Sequence, residues 1–315
     1  MAMILANGIS FSGGFIFTPP PPPSENTAAW FGGGWTGVST VDRITYATDT
    51  ATASVRGPLS SATYVAAATG NFTDAWFGGG DPGPRSTVDR ITYATDTATA
   101  SVRGPLSLGR RFLAAAGNTT DGWFGGGYAP GTVSTVDRIT YATDTATASV
   151  RGPLSQARFR PVATGNSDYG WFGGGYTPPA YRSTVQRITY ATDTATASVR
   201  GPLSFVGGSL AAAGNSDYGW LGGGWAPNSP RSTVDRITYA TDTATASVRG
   251  PLSLARYVLA AAGNTTDGWF GGGKADGTPF STVDRITYAT DTATASVRGP
   301  LSAVRYGLAA AGGIQ

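Results

Sequence analysis

The sequence predicts an all-β protein built as a six-bladed β-propeller, each blade a four-stranded antiparallel sheet. Three observations predict it. The block STVDRITYATDTATASVRGPLS begins at Ser39, Ser86, Ser134, Ser183, Ser232 and Ser281, and it changes only at Gln186, where the other copies have Asp. A Trp, then Phe or Leu, then three glycines precede every copy, at Trp30, Trp76, Trp123, Trp171, Trp220 and Trp269. The segments between turn residues alternate with period 2, and none has a helical period. A repeat of about 48 residues with four short strands cannot bury both faces alone, so it must stack on its neighbours.

The elements follow in order within each repeat. Arg256–Gly263 (RYVLAAAG) and its relatives form the first strand, closed by a G-N-x-x-D-G turn such as Gly117–Gly122. The Trp-containing run is the second strand, and a variable loop follows its glycines. In the third strand, TVDRITY, Val136, Arg138 and Thr140 share one face while Asp137, Ile139 and Tyr141 share the other. Ala142–Thr145 then turns the chain into the fourth strand, TASVRGPLS, which Gly152-Pro153 ends because proline cannot donate to a ladder.

The two ends of the chain predict closure. Asn26–Trp30 enters the first repeat inside its first turn, and Ala303–Gly313 (AVRYGLAAAGG) is a first strand with nothing after it. The C-terminal strand is therefore expected to join the N-terminal blade and lock the ring, whereas a linear solenoid would need polar caps. Side-chain size agrees. The Ala-Ala-Ala-Gly runs suit first strands crowded around a central channel, and the Trp and Phe of the second strands suit the wider space between blades. The expected organisation is an arm over residues 1–18, a linker over 19–25 and a propeller over 26–315.

Composition narrows the chemistry. Charged residues make up 13% of the 315, with 46 glycines and a net charge of +3. The charges are spread through the repeat, which argues against nucleic acid. With no His and no Cys, the usual general base, the commonest metal ligand, thiol nucleophiles and disulfides are all absent. Six equivalent blades also supply like groups around a ring, where an active site needs unlike groups in one place. A non-enzymatic protein without cofactor or metal is expected. The start, MAMILANGISFSGGFIF, has no positive leader region and is broken by Asn7, Gly13 and Gly14, so neither a signal peptide nor membrane insertion is expected.

At these residues the repeat resembles the kelch repeat. Its diglycine matches Gly125-Gly126, its third-strand aromatic matches Tyr46, Tyr93, Tyr141, Tyr190, Tyr239 and Tyr288, and its blade-opening Arg matches Arg110, Arg158, Arg256 and Arg305. Thr63 and Gly207 depart from it, and Val55, Val102 and Val150 stand where kelch repeats usually place Trp. The wording of the repeat, over Asn26–Gly313, is similar to repeat proteins encoded by bacteriophages of aquatic bacteria, notably cyanophages. That resemblance implies a virion fibre, appendage or decoration protein, made in the host cytoplasm and carried on the particle.

The repeated acids have bland expectations. Asp49, Asp96, Asp144, Asp193, Asp242 and Asp291 stand in Thr-Asp-Thr turns, where Asp side chains bond nearby backbone amides, and one carboxylate per turn is too few for calcium. Asp42, Arg43 and their copies are expected to form structural ion pairs or hydrogen-bond ladders, across strands or across blades. Asn71, Asn118 and Asn264 open glycosylation sequons that look accidental in hairpin turns.

Function should lie where the copies differ. The loops after the glycines carry Trp35, Arg85, Tyr128, Tyr176, Tyr181, Arg182, Trp225, Arg231 and Phe280, and in a propeller these share a face with the blade-to-blade connections. They make a candidate rim for a cell-surface glycan or receptor protein. Ile4, Ile9, Phe11, Phe15, Ile16 and Phe17 make a candidate anchoring arm toward other virion proteins or further copies of the chain, the latter giving a homo-oligomer. Pro19, Pro20, Pro21, Pro22 and Pro23 would space it as stiff polyproline.

Overall fold

The computed structural model describes residues 27–35 and 37–312, and places three short strands earlier in the chain. These are Ile4–Leu5, Gly8–Ser10 and Ile16–Phe17, paired antiparallel in that order. Four of the six residues expected to form an arm fall on them. Phe11, Phe15 and the expected linker, Pro19–Pro23, lie outside the described residues.

The described chain is a six-bladed β-propeller, each blade a four-stranded antiparallel sheet. Blade 3 shows the pattern. Ala114–Gly117 pairs with Asp121–Gly125, which pairs with Val136–Thr140, which pairs with Ser149–Arg151. Blade 1 takes its innermost strand, Ala309–Ala311, from the far end of the chain and pairs it with Ala28–Gly32. The expected closure is therefore present.

The core lies between blades. Trp76, Val88 and Leu106 of blade 2 pack with Phe124, Ile139 and Tyr141 of blade 3, and equivalent clusters recur between the other neighbours, blades 6 and 1 included. Close approach sets the glycines. A Cβ on Gly125 would stand 2.7 Å from the Phe172 ring of the next blade, while Gly173, which faces Leu221 instead, has nothing nearer than 3.4 Å. At the perimeter, a Cβ on Gly104 would stand 1.9 Å from the Ala146 carbonyl oxygen of the next blade.

Three local expectations need correction. The first strand is shorter than RYVLAAAG, since only Ala260–Gly263 pairs as strand in that copy. In the outermost strand only Ser-Val-Arg pairs, and it leaves Val150 61% exposed. Tyr141 does not continue the third strand. It opens a 3₁₀ turn, Tyr141–Thr143, that swings its ring into the gap between blades.

That turn also corrects the role of the Thr-Asp-Thr aspartates. Their side chains do not serve the local turn, because each is buried and reaches the preceding blade. Trp76 Nε1 donates to Asp144 Oδ2 at 2.8 Å, and Arg90 Nη1 and Arg103 Nε stand 3.1 and 3.5 Å from the same oxygen. The Trp76 and Tyr141 rings stack 3.8 Å apart. Two arginines and an indole N–H satisfy a carboxylate that could not otherwise be buried. The stack adds about 0.5–1.5 kcal/mol beyond area burial. The same rivet joins blades 6 and 1 through Trp269, Tyr46 and Asp49.

Candidate functional site

Asp42 and Arg43, adjacent in sequence, part company in the fold. Arg43 crosses to Asp96 in the next blade, whereas Asp42 stays within its blade and pairs with Arg305, the arginine at its opening. Asp137 with Arg110 and Asp284 with Arg256 repeat the second arrangement, fully buried. These ion pairs are structural, across blades for one series and within a blade for the other.

The variable loops and the blade-to-blade connections meet on one face. Tyr128 bridges Arg111, Tyr176 bridges Phe159, Trp225 bridges Gly208 and Lys274 bridges Tyr257, each as an antiparallel backbone pair. In blades 4, 5 and 6 the loop folds into a small hairpin, as in Tyr176–Thr177 against Ala180–Tyr181. The rim residues are accordingly less exposed than their loop position suggests. Trp35 is 44% exposed, while Arg85, Tyr128, Tyr176, Tyr181, Arg182, Trp225 and Phe280 are half-buried and Arg231 is exposed.

The rim aromatics pack on partners that sequence reasoning missed. Trp35 meets Tyr64 edge-on at 4.5 Å and stacks on Tyr306 at 5.6 Å. Tyr128 and Tyr176 both meet Phe159, and Trp225 meets Tyr257. Tyr64, Phe159, Tyr257 and Tyr306 lie in the segment read as first strand, so their place on the face was hidden. One signal could have found them. The two residues before each Ala-rich strand's Leu, Pro or Ala take five different forms in six copies, while the strand itself barely changes.

The second of those two residues builds the channel mouth. Val65, Phe112, Arg160, Ser209, Val258 and Gly307 all have φ between 50° and 72°, a strained region for the five that are not glycine. A closed ring of hydrogen bonds holds them there. Val65 N donates to the Gly307 carbonyl, Phe112 N to Val65, Arg160 N to Phe112, Ser209 N to Arg160, Val258 N to Ser209 and Gly307 N to Val258, at 2.6–3.1 Å. Each blade thereby donates to its neighbour until the circle closes. These residues frame a cavity of about 70 Å³, and the Ala-lined channel behind them encloses about 190 Å³.

Charge is concentrated here. Among the described residues, the variable loops and connections of this face carry, besides the buried blade-opening arginines, Arg85, Arg111, Arg160, Arg182, Arg231, Lys274, Asp81 and Asp276. Six cations therefore meet two acids. Arg111 is answered by buried Asp81 at 2.6 Å, and Arg85 donates to Ser61 Oγ and the Ala62 carbonyl. Arg160 instead lies over the rings of Phe112 and Phe159, at 4.6 and 5.4 Å. Lys274 lies 4.2 Å over Tyr306, and burial, with Arg160 nearby, pushes its ammonium below the ordinary lysine value.

Among the described residues no group of three or more acids, His or Cys could hold a metal, and no helix is long and apolar enough to cross a membrane. No known family matches this chain, and no curated protein does.

Proposed function

We propose that this protein is a non-enzymatic structural component of a bacteriophage particle, a fibre, capsid appendage or decoration. Its kelch-like propeller would serve assembly or attachment to a host surface. One observation carries the reading. The repeated residues are spent on the frame, in rivets, buried ion pairs and inter-blade packing, while most of the residues that vary gather on one face with aromatic rings and cations. A frame with interchangeable loops suits recognition by contact, as binding surfaces placed on a rigid scaffold do. The wording of the repeat supplies the viral setting, and residues 1–25 the attachment to other virion proteins or to further copies of the chain.

The packing of half-buried aromatics against cations also favours a second reading, a soluble adhesion module that uses the same face for a carbohydrate or protein. Removing residues 1–25 separates the two. Under the virion reading, sedimentation should show an oligomer for the full chain and a monomer for the shortened one. Unchanged oligomeric state with intact glycan binding would favour the soluble module. Tyr128→Ala, Tyr176→Ala, Trp225→Ala and Phe280→Ala together should abolish attachment under either reading, and unchanged attachment would remove the loop face from both.

A further inference from the structure

We propose that the channel mouth on the loop face binds the acid group of an anionic saccharide, held by Arg160 and Lys274. The proposal rests on the loop face being the binding face, and names what that face recognises. Three observations carry it.

First, the two cations have no acid to answer them. Among the described residues neither forms an ion pair, and Arg160 Nε is buried without a hydrogen-bond partner. The acid near them is Asp276, exposed at the tip of the blade 6 hairpin beside Tyr257. Second, both are held in place. Arg160 is fixed by its backbone position in the hydrogen-bonded ring and by Phe112 and Phe159, and Lys274 by Tyr257 and Tyr306 at 5.4 and 4.2 Å. Like charges held close in partial burial repel, and an anion between them converts that repulsion into two charge-assisted contacts. Third, the mouth cavity of about 70 Å³ takes a carboxylate or sulfate, while Trp35, exposed and stacked on Tyr306 close by, offers a ring on which a pyranose can lie. A nucleic acid would need a cationic track following successive phosphates. Here, among the described residues, the other loop-face cations without an ion pair, Arg85, Arg182 and Arg231, belong to the loops of three different blades. By contrast, burial and the nearness of Arg160 together push the Lys274 ammonium down.

The test measures binding of the full-length protein to oligogalacturonate and to heparin-derived oligosaccharides, with the methyl ester of the first and a short single-stranded DNA as controls. Binding of at least one acidic oligosaccharide is expected, weakened at least tenfold by esterification and at least tenfold by Arg160→Gln with Lys274→Gln. The free double variant loses a repulsion along with its contacts to the four rings, so its melting temperature should stay close to the parent's. Weaker binding at an unchanged melting temperature cannot be ascribed to unfolding. No binding by either acidic oligosaccharide, equal binding of the ester, unchanged affinity in the double variant, or tighter binding of DNA would each overturn the proposal. A neutral glycan or a protein bound through the outer rim would leave the loop face intact as a binding face while overturning this assignment of its ligand.

Discussion

Blades 3 and 4 are built from nearly the same words and differ at one buried contact. In blade 3, Arg110 donates from Nη1 to the Gly126 and Thr135 carbonyls and from Nη2 to Asp137 at 2.7 Å, while Asp137 also accepts from Ser107. In blade 4, Arg158 keeps the two carbonyls, Gly174 and Thr184, but Gln186 turns its amide oxygen to the Ser155 N–H. Arg158 Nη2 and Gln186 Nε2 are left without partners. Burial, with Arg182 nearby, accordingly pushes the Arg158 guanidinium down from its ordinary value. Blades 2 and 5 show the converse. Thr63 and Gly207 replace the arginine, and burial raises the Asp89 and Asp235 carboxyls. The lesson is that the frame tolerates an incomplete pair in either sense, because six inter-blade rivets hold each blade independently of it.

Four measurements would break or sharpen that comparison. Asp137→Asn leaves Arg110 buried and uncompensated, and should cost about 3–5 kcal/mol in denaturant unfolding. A loss below about 1 kcal/mol would show that the blade 3 pair is no more than a variant of blade 4. Asp144→Asn removes the acceptor shared by Trp76, Arg90 and Arg103, and should cost about 2 kcal/mol, the two arginines being partly solvated. Gln186→Asp supplies the missing carboxylate and should raise stability by about 1–2 kcal/mol, smaller than the first effect because the new charge must itself be desolvated. No gain would mean that Arg158 is already satisfied by water.

The smallest effect concerns the acids without an arginine. Asp89→Asn with Asp235→Asn should change stability by under about 1 kcal/mol at neutral pH, unlike the same change at Asp137. Because burial raises both carboxyls in the folded state, their protons are bound more tightly folded than unfolded. The stability this confers is full below the unfolded value and lost as pH rises through the folded one. Toward acid pH, melting temperatures should therefore shift in favour of the parent over the double variant. A gap independent of pH would show that the two acids titrate as in the unfolded chain.

Much of the frame was legible in the residues. Period 2 in TVDRITY, the Ala-rich inner strands and the split first repeat led to the blades, their order and their closure. The destinations of the polar side chains were not legible. Asp144 sits in a turn sequence that reads as locally satisfied, yet its indole partner is 68 residues away in another copy. In a sequence repeated so closely, every Asp has a candidate Arg in its own copy and in each neighbour, and spacing cannot choose. The candidate site was half legible. Variation marked Tyr128, Tyr176 and Trp225, but the ring of positive φ values that holds Arg160 fell inside a segment whose pattern reads as strand.

The sequence by itself determined the number of blades, the place of each strand and the loops in which copies differ, because periodicity and turn chemistry act over a few residues. Tertiary structure alone decided which copy's acid meets which copy's base, how the chain closes its channel mouth and which cations are left unanswered there. Those outcomes depend on how strands and neighbouring blades pack in space, a packing closed into a ring where the last strand joins the first blade.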